Sequence, residues 1–165
     1  MTETRWLNES ELQAWLKLAG VMLKLSPALD SQLQRESELT HFDYLSLAML
    51  SESDGRELRM SELAAKVNSS LSRLSHVVKK LETRGWVRRF PCAESRRVTM
   101  VQLTDPGFVV LEAAAPAHVE TVRALVFDGL TPEQVGQLEV IAGHIVGRIE
   151  SAGLDVRNDL DVATG

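Results

Sequence analysis

The chain has a single cysteine, Cys92, so it can form no intrachain disulfide and no cysteine-rich metal site, a usage that suits a reducing compartment. No stretch approaches the roughly 18 consecutive apolar residues of a membrane span. Residues 1–20 lack the basic start and apolar run of a secretion signal. A cytoplasmic protein with no membrane partner is expected. The four histidines, His41, His76, His118 and His144, include no pair at the i, i+3 or i, i+4 spacing by which a helix presents two metal ligands, so no metal is expected. The sequence also has no G-x-S-x-G, P-loop, dinucleotide fingerprint, H-E-x-x-H or paired-carboxylate site. Neither an enzyme nor a cofactor is expected.

What is present is one globular domain, or two small lobes sharing elements, in 165 residues that are 44% hydrophobic and 25% charged. The net charge of −5 hides a segregation. Residues 59–97 hold ten cations against Glu62, Glu82 and Glu94, a balance of +7, which leaves −12 for the rest. Phosphate responds to the local field and not to the net charge, so this is the pattern either of a DNA-reading lobe on an acidic body or of chance clustering on a solvated face.

Ser10 and Gln13 have capping-box spacing and predict the start of a long first helix. Its stripe of Leu12, Trp15, Leu16, Ala19, Met22 and Leu23 is flanked by further apolar residues, more surface than one small core needs, which implies a second partner. Pro27 is expected to kink or divide it. Thr40 starts a nearly apolar second helix, expected to be central, and residues 58–60 read as a very short strand or an extended link. Ser61 caps a short helix over 62–67. After a break at Asn68-Ser69, Ser70 caps the next helix, with Leu74, Val77, Val78 and Leu81 on one buried face. Gly85 ends it where a left-handed cap is easiest. Residues 86–90 and 98–103 then form two strands of a hairpin around the basic loop 91–97. A fifth helix, interrupted by Pro116, runs to about Val126. Thr131-Pro132-Glu133-Gln134 starts a sixth, with Leu138, Ile141, Ile145 and Ile149 on one stripe and Gly143 and Gly147 on its back, where either another backbone approaches or the spacing is chance. Residues 155–165 are acidic and aperiodic and are expected to fray.

Short helix, turn, second helix with a polar basic face and basic hairpin is the order of a winged helix-turn-helix, and the fold expected is mainly α with a small β-hairpin wing. A helix fits the major groove of duplex DNA, where its exposed first turns can select sequence. Ser72, Arg73, Ser75 and His76 hold those positions. Lys79 and Lys80 lie farther along and suit phosphates, as do the free amides near Ser69 and Ser70. Arg96 or Arg97 can enter the adjacent minor groove.

The string MSELAAKVNSSLSRLSHVVKKLETRGWVRR, followed by a wing and QLTDPG, resembles the MarR (multiple antibiotic resistance regulator) family of winged-helix transcription regulators, over about residues 10–150. The resemblance implies a homodimer interlocked through its first, fifth and sixth helices, on a pseudo-palindromic operator, with repression the commonest mode. It divides the chain into a first dimerisation helix at 10–38, a DNA-binding lobe at 39–103, dimerisation helices at 104–152 and a flexible tail at 153–165. Ser70, Ser72, Arg73, Ser75 and His76 match its recognition-helix positions and Arg97 its wing-tip arginine. Members commonly carry Asp two residues before that arginine. Here the position is Ser95, with Glu94 beside it as the candidate substitute partner.

The family also binds small aromatic or phenolic effectors between the dimerisation helices and the DNA lobe, where Trp15, His41 and Tyr44 either line the site or pack the core. Cys92 is either an oxidation-sensitive wing thiol or simply a small residue. A protein-binding adaptor, whose basic face meets an acidic partner, is the alternative to a DNA-binding regulator.

Overall fold

The computed structural model describes residues 4–153; the expected tail beyond residue 153 lies outside them. Six helices and one small sheet follow in the order α1 (Glu9–Ser37), α2 (His41–Ser51), β1 (Glu57–Arg59), α3 (Met60–Lys66), α4 (Leu71–Thr83), β2 (Val87–Pro91), β3 (Thr99–Leu103), α5 (Asp105–Val122) and α6 (Pro132–Ser151). A short 3-10 turn precedes β1, and a wider π turn, Arg123–Phe127, prolongs α5.

Several element boundaries differ from the sequence expectation for local reasons. Helix α1 begins two residues earlier than a Ser10 cap would place it, because Asn8 and Glu11 form the reciprocal capping box: the Glu11 amide donates to Asn8 Oδ1 and the Asn8 amide to Glu11 Oε2, each at 2.9 Å. Pro27 neither divides α1 nor ends it, and α5 runs unbroken through Pro116. Both prolines are exposed, as are Leu23 and Glu112 one turn before them, whose carbonyls lose a helical donor to the proline ring. Helix α3 starts at Met60 and not after Ser61, because the Glu62 carboxylate reaches back to the Arg59 amide at 3.0 Å.

The hairpin gains a third strand. β1 pairs antiparallel with β3 and β2 pairs with its other side, so the order is β1-β3-β2, with Leu58 opposite Val101 and Arg89 opposite Val101 on the other edge. The core lies under this sheet. Leu47 and Leu50 of α2, Leu63 of α3, Leu74 and Leu81 of α4 and Val101 of β3 are fully buried. Leu33 of α1 and Leu111 of α5 close it from the other side, and α2 touches α1, α3, α5 and the sheet, as its apolar sequence requires.

The joint between the sheet and α5 is set by Thr104 and Gly107. Thr104 caps α5 and donates its hydroxyl to the Gly85 carbonyl at 2.6 Å, while its amide donates to the Trp86 carbonyl at 3.0 Å. A Cβ on Gly107 would overlap that same Trp86 carbonyl oxygen. Gly85 takes φ +74°, the left-handed turn that ends α4.

Helix α6 is different. None of its residues is buried, and Leu138, Ile141, Ile145 and Ile149 are exposed together with Leu12, Leu16 and Leu23 of α1. Among the described residues, nothing comes within 4 Å of a Cβ placed on Gly143 or Gly147.

Candidate nucleic-acid interface

Helix α4 is held at its start by Ser70, whose hydroxyl accepts the Arg73 amide at 3.2 Å, and along its inner face by Leu74, Val78 and Leu81. The opposite face presents Ser72, Arg73, His76, Lys79 and Lys80 to solvent, with Ser75 half-buried. Leu71 is 52% exposed in the first turn. Its spacing from Leu74 and Val78 places it on the apolar stripe, which is why sequence reasoning passed over it; the helix starts one turn beyond the edge of the core.

The cations of this lobe divide into two groups. Arg59 pairs with Glu94, Lys80 with Asp43 and Arg89 with Glu82, while Arg84 donates to the Glu38 carbonyl and Arg88 to Gln102. Among the described residues, the side chains of Lys66, Arg73, Lys79, Arg96 and Arg97 make no hydrogen bond or ion pair; Arg73 lies over the Phe42 ring, 4.7 Å from its centroid. Lys66, at the end of α3, belongs with the free cations although it has no place in the recognition-helix pattern. Both Arg96 and Arg97 are exposed at the wing.

One detail of the wing differs from expectation. Glu94 does not replace the missing acidic partner of Arg97; it turns to Arg59 at 3.3 Å and ties the wing to the end of β1. The wing turn is closed by its backbone, with the Cys92 amide donating to the Val98 carbonyl at 2.8 Å and the Val98 amide to the Ser95 carbonyl at 3.0 Å. Cys92 is half-buried.

The expected effector residues do not all meet. His41 and Tyr44 of α2 pack on His118 of α5, with ring centroids 5.6 and 4.3 Å away. Gln32 of α1 lies 3.3 Å from the His118 ring nitrogen Nδ1. His118 is buried, and was visible in the sequence only as an isolated histidine. Burial pushes the His41 pKa down, with Asp30 opposing; it pushes His118 down too, aided by the neighbouring His41. Burial raises the Tyr44 hydroxyl, and Glu52 adds to it. Trp15 stands apart, about 26 Å of helix rise from Gln32 on the exposed half of α1. An apolar cleft of about 640 Å³ does open between α1 and the approach to α6, but Val21, Leu25, Leu125 and Leu130 line it, not His41, Tyr44 or Trp15.

No helix among the described residues is long and apolar enough to cross a membrane, and no three His, Cys, Asp or Glu side chains among them converge as a metal site.

Residues 39–99 match the model of the MarR family. The chain is 26% identical over 112 residues to the transcriptional repressor MprA of Escherichia coli K12, an alignment covering 68% of this chain and 63% of that protein. It thus spans less than two thirds of that relative. Among solved structures it resembles Sco3205, a MarR family transcriptional regulator from Streptomyces coelicolor in complex with DNA, with a TM-score of 0.86 and 43% identity over 89% of this chain and 92% of that one. AbsC, a MarR family transcriptional regulator from the same organism, gives a TM-score of 0.79 and 39% identity over 87% and 99%. With that identity over nearly the whole of two family members, and with the winged lobe built from α3, α4, β2 and β3, the chain belongs to the MarR family.

Proposed function

We propose that this protein is a sequence-specific, DNA-binding transcription regulator that sits as a homodimer on a pseudo-palindromic operator and represses transcription there. The observation that carries the reading is the outer face of α4, where hydroxyls and cations stand exposed beside the free wing arginines, with no acid in the helix's first turn. Ser72, Arg73, Ser75 and His76 read base edges in the major groove, and Leu71 adds an apolar contact suited to a thymine methyl. Lys79 and the amides behind the Ser70 cap hold phosphates. Arg96 and Arg97 occupy the adjacent minor groove.

The dimer is supported by α6, whose Leu138, Ile141, Ile145 and Ile149 are exposed, as are Leu12, Leu16 and Leu23 of α1. A stable interface buries about 800 Å² on each partner, and helices of this length with such a stripe can supply it. Residues 39–103 then form the reading lobe, and 10–38 with 104–152 the dimerisation region. A small aromatic or phenolic effector enters beside His41, Tyr44 and His118, where α1, α2 and α5 meet, and favours a dimer whose recognition helices no longer match the half-site spacing.

Electrophoretic mobility shift on the promoter region of its own gene tests this reading. Retardation that a shuffled duplex of equal length cannot compete away is the expected result. No affinity for either duplex at low salt would point instead to a winged-helix adaptor for an acidic protein.

A further inference from the structure

Among the described residues, Lys80 is the one cation on the outer face of α4 whose side chain is bound by a carboxylate of the protein. Its ammonium meets Oδ2 of Asp43, 37 residues away on α2. Asp43 is fully buried, and the same Oδ2 accepts the Thr40 amide at 2.8 Å, while Oδ1 has no hydrogen-bond partner. A buried carboxylate with one orphaned oxygen leans heavily on the single cation that reaches it.

The turn of α2 that carries Asp43 is itself anchored. The His41 amide donates to Asp30 of α1 at 2.8 Å, and the His41 and Tyr44 rings rest on His118 of α5. Helix α4 meets the core through Leu74, Val78 and Leu81, its far end is tied by Glu82 to Arg89 and by Arg84 to the Glu38 carbonyl, and Arg73 lies over the Phe42 ring; among the described residues, Lys80 supplies the ion pair that joins it to α2. The Asp43 contact is directional. Base-edge hydrogen bonds tolerate only a few tenths of an ångström, so such a strut matters to reading.

We infer that Lys80, through its ion pair with buried Asp43, is a positioning residue that fixes the setting of the recognition helix, and is not a phosphate anchor. This rests on the DNA-binding reading above. Its charge is already answered by Asp43, so it adds little to the field felt by phosphate, whereas Lys79 beside it remains free.

The test compares Lys80→Met, Lys79→Met and the wild type on the tightest duplex the wild type recovers from a random pool and on a shuffled version, over about 50–200 mM salt. Lys80→Met is expected to lower the ratio of chosen to shuffled affinity by at least about tenfold, the size of one lost base contact, with the salt slope unchanged. Lys79→Met should weaken both duplexes alike and reduce the slope by about 0.9 for each phosphate lost. A reduced slope with an unchanged ratio for Lys80→Met, or no change in either, overturns the inference. If Lys80→Met alone does not fold, Asp43→Asn/Lys80→Met leaves no uncompensated buried charge and carries the same readout. Thermal midpoints of Asp43→Asn, Lys80→Met and the double variant, measured without DNA, should be strongly non-additive; additive losses would overturn the strut, whereas failure of the wild type to recover any consensus would count against DNA reading itself.

Discussion

Glu82, in the last turn of α4, accepts three hydrogen bonds from Arg89 of β2: from its amide at 3.0 Å, from Nε at 3.0 Å and from a terminal guanidinium nitrogen at 2.7 Å. The recognition helix and the wing are thereby joined at their bases. The guanidinium hydrogen bonds hold the Glu82 carboxyl below its ordinary value of 4.5, against partial burial and with help from the Arg89 amide. A depressed folded-state pKa contributes stability that is present above the unfolded value and is lost as pH falls through the folded one. Glu82→Gln is therefore expected to cost about 1 kcal/mol near neutral pH, because the pair is partly solvated. The gap between variant and wild type should close below about pH 4.5 in thermal melts. A gap of constant size across that range would contradict the role given to the carboxylate.

Gly107 faces the Trp86 carbonyl, which is already engaged by the Thr104 amide and cannot easily yield. Gly107→Ala is expected to destabilise by about 1–3 kcal/mol or more through overpacking at the sheet-to-α5 joint. Calorimetry would show this as a fall of roughly 2–4 °C in Tm for each kcal/mol.

The free wing arginine and the recognition-helix arginine should behave differently. Arg97→Ala is expected to weaken binding to all duplexes and to lower the salt slope by about one for each wing engaged, since it deletes an unpaired cation from the groove. Arg73→Ala should instead change base preference in a competition assay. Uniform weakening over all sequences would make Arg73 a phosphate contact only.

Helix α6 offers a direct test of the dimer. Ile145→Asp places a charge in the exposed apolar stripe, and sedimentation should then report a monomer where the wild type sediments as a dimer. An unchanged mass would remove α6 from the interface.

Local chemistry made much of this fold legible. The Ser70 cap with Leu74, Val78 and Leu81 marked α4, and Thr131-Pro132 with Gln134 marked α6, because caps and apolar spacing act within a few residues. Where α1 begins was not legible, since Asn8 with Glu11 and Ser10 with Gln13 are both competent pairs and only the folded chain chooses. Pro27 does not divide α1, and α5 runs through Pro116 without the expected interruption. A mid-helix proline costs one backbone hydrogen bond and a clash with the preceding turn, and the surroundings of that turn, here exposed residues, are not legible in the sequence.

The candidate site divides the same way. The polar face of α4 follows from helical period, whereas the engagement of Lys80 by Asp43, of Glu94 by Arg59 and of His118 by Tyr44 and His41 joins residues far apart in sequence. No local pattern announces such pairs. Composition placed ten cations in residues 59–97, and the tertiary structure decides which of them are left for a ligand.

Selection of bound duplexes from a random pool tests the central claim most directly. Two related half-sites about one helical turn apart, roughly 34–36 Å centre to centre, are the expected result for two recognition helices on a two-fold axis. Recovery of unrelated sequences with no shared half-site would contradict it.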